Sequence, residues 1–305
     1  MILAFLAIAT LIHFNQEKLE FVEGQSLFFE APNISYELAI DSDTDGLEED
    51  KDKLSYEPVI SGFQGMAVKT KWLTFSLAVQ QKDDKLKDFE ESRLFDFQVF
   101  GLYKNFHWEL YYQNYQGLYI TQDDIVADDN LPKANSYSYG ASIHHFSNDD
   151  FNLSESFSSV QKKKKSAGSW LYGLSLNRSQ LRADGGLIPE EFAASFDQLY
   201  GLKEFNTASM AVHGGYGGLY TFYDFFITGL ISIGYQAQDQ RFSGLEQDNR
   251  VVTGFSNFVH FEYGYQWDNK VLGLFARVNN STIPVKNAEF ELTRTHVRIY
   301  YKYFY

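Results

Sequence analysis

Along most of this chain, apolar and polar residues alternate one by one. Between Trp72 and Gln80 the odd-numbered positions Leu73, Phe75, Leu77 and Val79 are apolar, while Thr74, Ser76, Ala78 and Gln80 are small or polar. Successive side chains of a strand point to opposite faces, so this spacing predicts a one-sided strand. The alternation recurs at Phe95, Phe97 and Val99, set against Asp96 and Gln98. It continues at Phe106, Trp108, Leu110 and Tyr112, set against His107, Glu109, Tyr111 and Gln113. Later segments repeat it at Trp170, Tyr172, Leu174 and Leu176, then at Phe225, Ile227, Ile231, Ile233 and Tyr235. A further segment sets Val259, Phe261, Tyr263, Tyr265 and Trp267 against His260, Glu262 and Gln266. One face of Phe, Trp and Leu backed by another of His, Asp and Glu is the pattern of a wall between lipid and a polar lumen.

The segments are separated by short turns at Lys104-Asn105 and Asp268-Asn269-Lys270, and by longer polar loops at 41–55, 81–92, 116–135, 182–204 and 238–250. Short turns on one rim and long loops on the other is the arrangement of outer-membrane barrels. A soluble β-sandwich or lipocalin-like barrel also alternates, but it packs its apolar face inward. Two features favour the membrane version: aromatic residues such as Tyr263, Tyr265 and Trp267 gather at strand ends, and the strand total exceeds that of a small soluble barrel. At the chain end Val297, Ile299, Tyr301, Tyr303 and Tyr305 alternate with His296, Arg298, Tyr300, Lys302 and Phe304. This resembles the terminal-strand signal read by the outer-membrane insertion machinery. The expected fold is therefore an all-β, antiparallel transmembrane β-barrel of about 12 strands, within a range of about 10 to 14.

Composition narrows the class. Of the 305 residues 44% are hydrophobic and 17% aromatic, yet mean hydropathy is −0.32, so apolar residues are diluted evenly rather than gathered in blocks. Beyond the N-terminal stretch no run nears the roughly 18 apolar residues of a membrane helix, which excludes a helical membrane protein. The absence of Cys, with 28 Phe and 21 Tyr, suits a strand-rich protein of the cell envelope. A net charge of −14 argues against nucleic acid as a partner, because no basic face offsets repulsion from phosphate. The expected partners are outer-membrane lipids and lipopolysaccharide, with the assembly machinery during insertion. Met1 to Ile12 is nearly all apolar and has the length of a secretory signal core. Residues 1–16 read as an export signal and residues 17–305 as a single barrel domain.

Three stretches carry a resemblance: Tyr112-Gln113-Asn114-Tyr115-Gln116-Gly117-Leu118-Tyr119, Gln161 through Lys165 followed by Ser166-Ala167-Gly168-Ser169, and Gly214-Gly215-Tyr216-Gly217-Gly218-Leu219-Tyr220. Together they resemble a bacterial envelope family of β-barrels without a characterised function. The resemblance implies a fold and an outer-membrane location, and it supplies no catalytic residue.

Three clusters could carry chemistry. His145-Phe146-Ser147-Asn148 is similar to the His-x-Ser-Asn segment of outer-membrane phospholipases and lipid A deacylases, where the His activates the Ser. Parity places His145 and Ser147 on the lipid face. Asp149-Asp150 stands where the phospholipases have Gly, and Glu155 is the nearest group that could orient the His, so a structural turn is the competing reading. Asp41, Asp43 and Asp45 with Gly46 reproduce the opening of a calcium loop, but Glu48 and Asp52 depart from its second half, which favours a solvated acidic loop over a calcium site. Lys162 to Lys165 could meet lipid phosphates or form a solvated turn. His144 and His145, adjacent in a strand, face opposite ways and cannot share one metal.

The sequence thus predicts an outer-membrane barrel without enzymatic activity, structural or a narrow pore, with a lipid esterase acting through Ser147 and His145 as the alternative. The inward residues His107, Glu109, Tyr111, His260, Glu262, Arg298 and Lys302 are long enough to pair across the lumen.

Overall fold

Alternation becomes strand wherever it was read. The computed structural model describes residues 22–40, 52–58, 62–70, 73–80, 93–103, 105–122, 125–126, 134–148, 151, 166–245, 250–285 and 288–304. Its strands are β1 (Val22–Ile40), β2 (Asp52–Pro58), β3 (Phe63–Thr70), β4 (Leu73–Gln80), β5 (Arg93–Tyr103), β6 (Phe106–Gln122) and β7 (Ile125–Val126). They continue as β8 (Ala134–Phe146), β9 (Ala167–Ala183), β10 (Glu204–Phe222), β11 (Phe225–Ser243), β12 (Arg250–Trp267), β13 (Lys270–Val285) and β14 (Ala288–Phe304). Neighbours are antiparallel, and β14 returns to pair with β1 from Gly24↔Phe304 to Ile40↔Ala288, closing the sheet. The closed ring has twelve strands, namely β1, β3, β4, β5, β6 and β8 through β14.

The apolar face points outward. Trp170, Tyr172, Leu174 and Leu176 on β9, Met210 and Val212 on β10, and Ile231 and Ile233 on β11 are each more than half exposed. The opposite parity of these strands and of β12 is polar and faces in: Ser169, Ser175, Thr207, Ser232, Gln236, His260 and Glu262 are buried. A continuous apolar exterior around a closed sheet is stable in lipid, where no backbone group is left unpaired. The protein is an outer-membrane β-barrel. The rim holding Gly24 and Phe304 also carries the short turns at Asn105, Tyr223-Asp224 and Asp268-Asn269, which marks it as periplasmic. Near it the aromatics form a belt, with Tyr265 and Trp267 stacked at 5.6 Å and Phe222 and Phe225 at 5.4 Å.

Strands such as β10 and β11, of 19 residues each, exceed the roughly 9 to 11 residues needed to cross a bilayer. The surplus projects past the lipid at the loop rim, where outward positions change from Ile231, Ile233 and Tyr235 to Asp239 and Arg241, and on β9 from Leu174 and Leu176 to Arg178 and Arg182. This corrects three expected loop limits. Strand β6 runs on to Gln122 and β11 to Ser243, and β2 starts at Asp52, because a strand with water outside loses its apolar parity while keeping its ladder.

The ring is not uniform along its axis. Strands β2 and β3 both pair with β1, with a break between their described pairings and Gly62 at φ 138° just before β3. Below the break β3 pairs with β4, and the β4–β5 hairpin fills the space up to β6. Above it β2 pairs with β6 directly, through Glu57↔Tyr119 and Pro58↔Leu118. Replacing β3, β4 and β5 by β2 leaves ten strands in the loop-side ring against twelve in the periplasmic ring. Diameter grows with strand number, so the barrel tapers toward the outside.

Candidate functional site

The lumen is where polar side chains converge, and its centre is bridged. Strands β6 and β13 stand on opposite sides of the ring, six strands apart in either direction. Arg277 of β13 nevertheless reaches Glu109 of β6 with two parallel hydrogen bonds, Nη1 to Oε1 at 2.9 Å and Nη2 to Oε2 at 3.0 Å. Bidentate guanidinium–carboxylate contact is the strongest ordinary polar contact available to a side chain. One level nearer the loop rim, Arg294 of β14 crosses to Tyr111 of β6 at 3.1 Å, to Ser138 of β8 at 2.9 Å and to Ser179 of β9 at 3.2 Å. Above it the hydroxyl of Tyr36 on β1 meets that of Ser136 on β8. These contacts tie one wall to the other through the axis.

Around the struts, each inward carboxylate has local partners. Glu30 binds the His296 ring and accepts from Arg298 Nη2 at 2.8 Å, and the Arg298 guanidinium lies 3.8 Å above the Phe28 ring. Glu262, fully buried, accepts from the Tyr300 hydroxyl and from Lys302 Nζ at 3.3 Å. Asp96 accepts from Gln113 Nε2 at 2.8 Å and from the Tyr115 hydroxyl at 3.3 Å. A row of rings follows the wall, His107 to His144 at 6.3 Å and His144 to His213 at 5.9 Å, with His213 Nε2 at 2.8 Å from Ser175 Oγ. Among the described residues no group of three His, Asp or Glu is placed to hold a metal ion.

Apolar side chains gather toward both ends of the lumen, at the periplasmic end beside the polar Gln25, Lys69 and Thr74. At the narrow loop-side ring the 184–203 connection folds inward, burying Leu187, Ile188, Phe196, Leu199 and Leu202, and the Tyr56 hydroxyl donates to the Leu187 carbonyl. Toward the periplasmic rim Phe146 packs on Phe151 at 5.2 Å beside buried Leu171 and Leu219. Between them lies a cavity of ≈ 240 Å³ whose lining runs from Gly24, Lys69 and Thr74 at the periplasmic end to Phe205 and Phe290 at the other.

Residues 32–305 match the family model described as a domain of unknown function, DUF4421. The chain belongs to that family. No curated protein matches this DUF4421 chain in sequence. Among solved structures it is similar to the outer membrane protease OmpT from Escherichia coli, at 10% identity and a TM-score of 0.42, covering 95% of this chain and 99% of that one. It is also similar to the CymD monoaromatic hydrocarbon channel, at 10% identity and a TM-score of 0.32, covering 93% and 89% of the two chains.

In this DUF4421 barrel the seven residues expected to face inward all do so. Glu109, Glu262, Arg298 and Lys302 form ion pairs, Tyr111 receives Arg294, and His107 and His260 line the cavity. His144 also faces the lumen, while His145 lies on the outer face against the Phe106 ring at 4.8 Å. Among the described residues no hydrogen bond joins His145 to Ser147. The backbone N–H of Ser147 donates to the Trp170 carbonyl, and Asn148 is tied to Ser169 Oγ at 3.0 Å and to the Gly168 carbonyl at 2.8 Å. Glu155, the calcium-loop residues Asp41, Asp43 and Asp45, the run Lys162 to Lys165 and the export segment 1–16 lie outside the described residues. Sequence reasoning missed Arg277 and Arg294, although their parity against Phe275 and His296 was readable once β13 and β14 were aligned.

Proposed function

We propose that this protein is a sealed, non-catalytic structural barrel of the outer membrane. The observation that carries the reading is the pair of arginine struts, Arg277 to Glu109 and Arg294 to Tyr111, Ser138 and Ser179, which occupy the axis where a pore would need water. The apolar stopper from Leu187 to Leu202 supports it, because a narrow ring lined by buried Leu and Phe excludes hydrated ions. The experiment is reconstitution of the full chain into planar bilayers. The expected result is a quiet membrane, with insertion shown independently by protease protection. Stable, unitary conductance steps from the inserted protein would make it a pore.

A further inference from the structure

We propose that a patch on the outer wall, spread over β5, β6, β8 and β9 where the barrel leaves the outer leaflet, binds a phosphate-bearing glycolipid. The inference goes beyond the sealed-barrel reading and does not depend on the state of the lumen.

Strand register defines the patch. Val99, Leu110, Ala141 and Leu176 lie side by side in one outward row, and all four are apolar. Two residues nearer the loop rim the outward row is Phe97, Tyr112, Tyr139 and Arg178. Next come Phe95, Asn114, Tyr137 and Gln180, and then Arg93, Gln116, Asn135 and Arg182. The wall thus passes from aliphatic groups through aromatic rings to amides and guanidinium groups, the order of environments that a lipid presents from acyl chain to headgroup. The rings brace one another edge to face, Phe95 on Tyr112 at 5.8 Å, Tyr112 on Tyr137 at 5.4 Å and Tyr137 on Tyr139 at 5.5 Å.

Charge singles out this sector. The chain has 40 acidic residues to 26 Lys and Arg, yet these four rows contain no carboxylate. Arg93 and Arg178 are exposed and form no ion pair among the described residues, and Arg178 Nε reaches only the neutral Asn206 Oδ1, at 3.4 Å. Arg182 meets Asp184 at 3.0 Å, an exposed pair of the kind that water screens. Elsewhere on the loop-side collar the outward positions of β1 and β14 carry Glu37, Glu289 and Glu291. An acidic collar with one basic sector draws an anion to that sector. The guanidinium fork matches phosphate oxygens, while the amides of Asn114, Gln116 and Asn135 suit the hydroxyls of a sugar. Arg93 and Arg182, three strand spacings apart in the same row, stand about 14 Å from each other, a span that fits a headgroup rather than a single ion.

The test follows thermal unfolding of the detergent-purified full chain with added lipid A, with the same lipid after enzymatic removal of its phosphates, and with inorganic phosphate. A saturable rise in Tm is expected with lipid A alone. Arg93→Gln with Arg178→Gln, both at exposed positions, should raise the apparent dissociation constant about ten-fold or more. Arg241→Gln with Lys203→Gln removes the same charge from the rim outside the sector and should leave the constant unchanged. An equal response to the dephosphorylated lipid or to inorganic phosphate overturns the proposal, as does an equal loss in both double variants, which would show a diffuse field in place of a site. Unchanged affinity without Arg93 and Arg178 overturns it too. So does a lipid-free dimer that the Arg93 and Arg178 substitutions dissolve, which would make a second copy the occupant.

Discussion

Removing Arg277 should strand a carboxylate at the centre of the barrel. The Glu109 side chain is 9% exposed and the Arg277 side chain 22%, so the pair sits largely out of water. Breaking a buried pair from one side costs about 3–5 kcal/mol, whereas replacing both partners by apolar groups of similar volume is neutral or mildly stabilising. Arg277 also covers the Phe258 ring at 4.8 Å, a contact that a methionine thioether can keep. Arg277→Ala is therefore expected to lower the unfolding free energy by about 3–5 kcal/mol. The double variant Glu109→Leu with Arg277→Met should stay within about 1 kcal/mol of the native chain, and the difference measures the coupling of the two sites. The assay is urea unfolding in lipid vesicles, followed by the fluorescence of the four tryptophans. A cost for Arg277→Ala no greater than that of the double variant would mean the pair is screened as at a surface. The lumen would then be wet, and the sealed reading would fail with the energetic one.

Three further outcomes follow from named contacts. Ile231→Arg places a charge on the lipid face near the middle of the crossing segment of β11, and should cost about 2–4 kcal/mol in the same unfolding assay; a cost near zero would place Ile231 outside the hydrocarbon. Gly117, at φ 76°, forms the bulge where β6 exchanges β5 for β2, so Gly117→Val should destabilise by about 1–2 kcal/mol, and a neutral result would deny the left-handed geometry. Tyr56→Phe leaves the Leu187 carbonyl without its donor, costing about 1–3 kcal/mol locally, and should speed trypsin cleavage at Lys203 on intact cells; an unchanged rate would show that the hydroxyl does not hold the stopper.

Period-2 reading made the wall legible because it depends on one residue and its two neighbours. Phe106 to Gln113 and Val259 to Trp267 could be assigned faces without knowing what stood opposite. The struts were not legible in that way. That Arg277 meets Glu109 depends on β6 and β13 being six strands apart in a closed ring, which no local pattern encodes. Strand β1 was hidden for a different reason, since Pro32 argues against a central strand. Its described pairing to β3 ends at Glu30 and its pairing to β2 begins at Tyr36, so Pro32 falls between those two partners. The stopper has no legible sequence pattern, because Leu187, Ile188, Phe196, Leu199 and Leu202 are scattered through a polar stretch with no single period.

The taper and the stopper have one origin in backbone geometry. Gly62 and Gly117, both at positive φ, flank the line where β2 joins β6 and the β4–β5 hairpin is left behind. A side chain with a Cβ resists that conformation, so glycine at these two points lets the neighbouring strands bend together. Drawing them together removes two strands from the ring, and a ring of ten encloses less space than a ring of twelve. The Arg and Glu struts fit the wider ring within the membrane. The narrower ring, projecting into water, would otherwise open directly on solvent, and there the chain fills it with Leu and Phe from the 184–203 connection. Burying those apolar groups in the mouth stabilises the connection at the rim of the barrel, since each such side chain withdrawn from water contributes about 1.5–3 kcal/mol. Widening the ring, as Gly117→Val would, should therefore loosen the stopper as well as the wall, and raise trypsin cleavage at Lys203 without touching Tyr56.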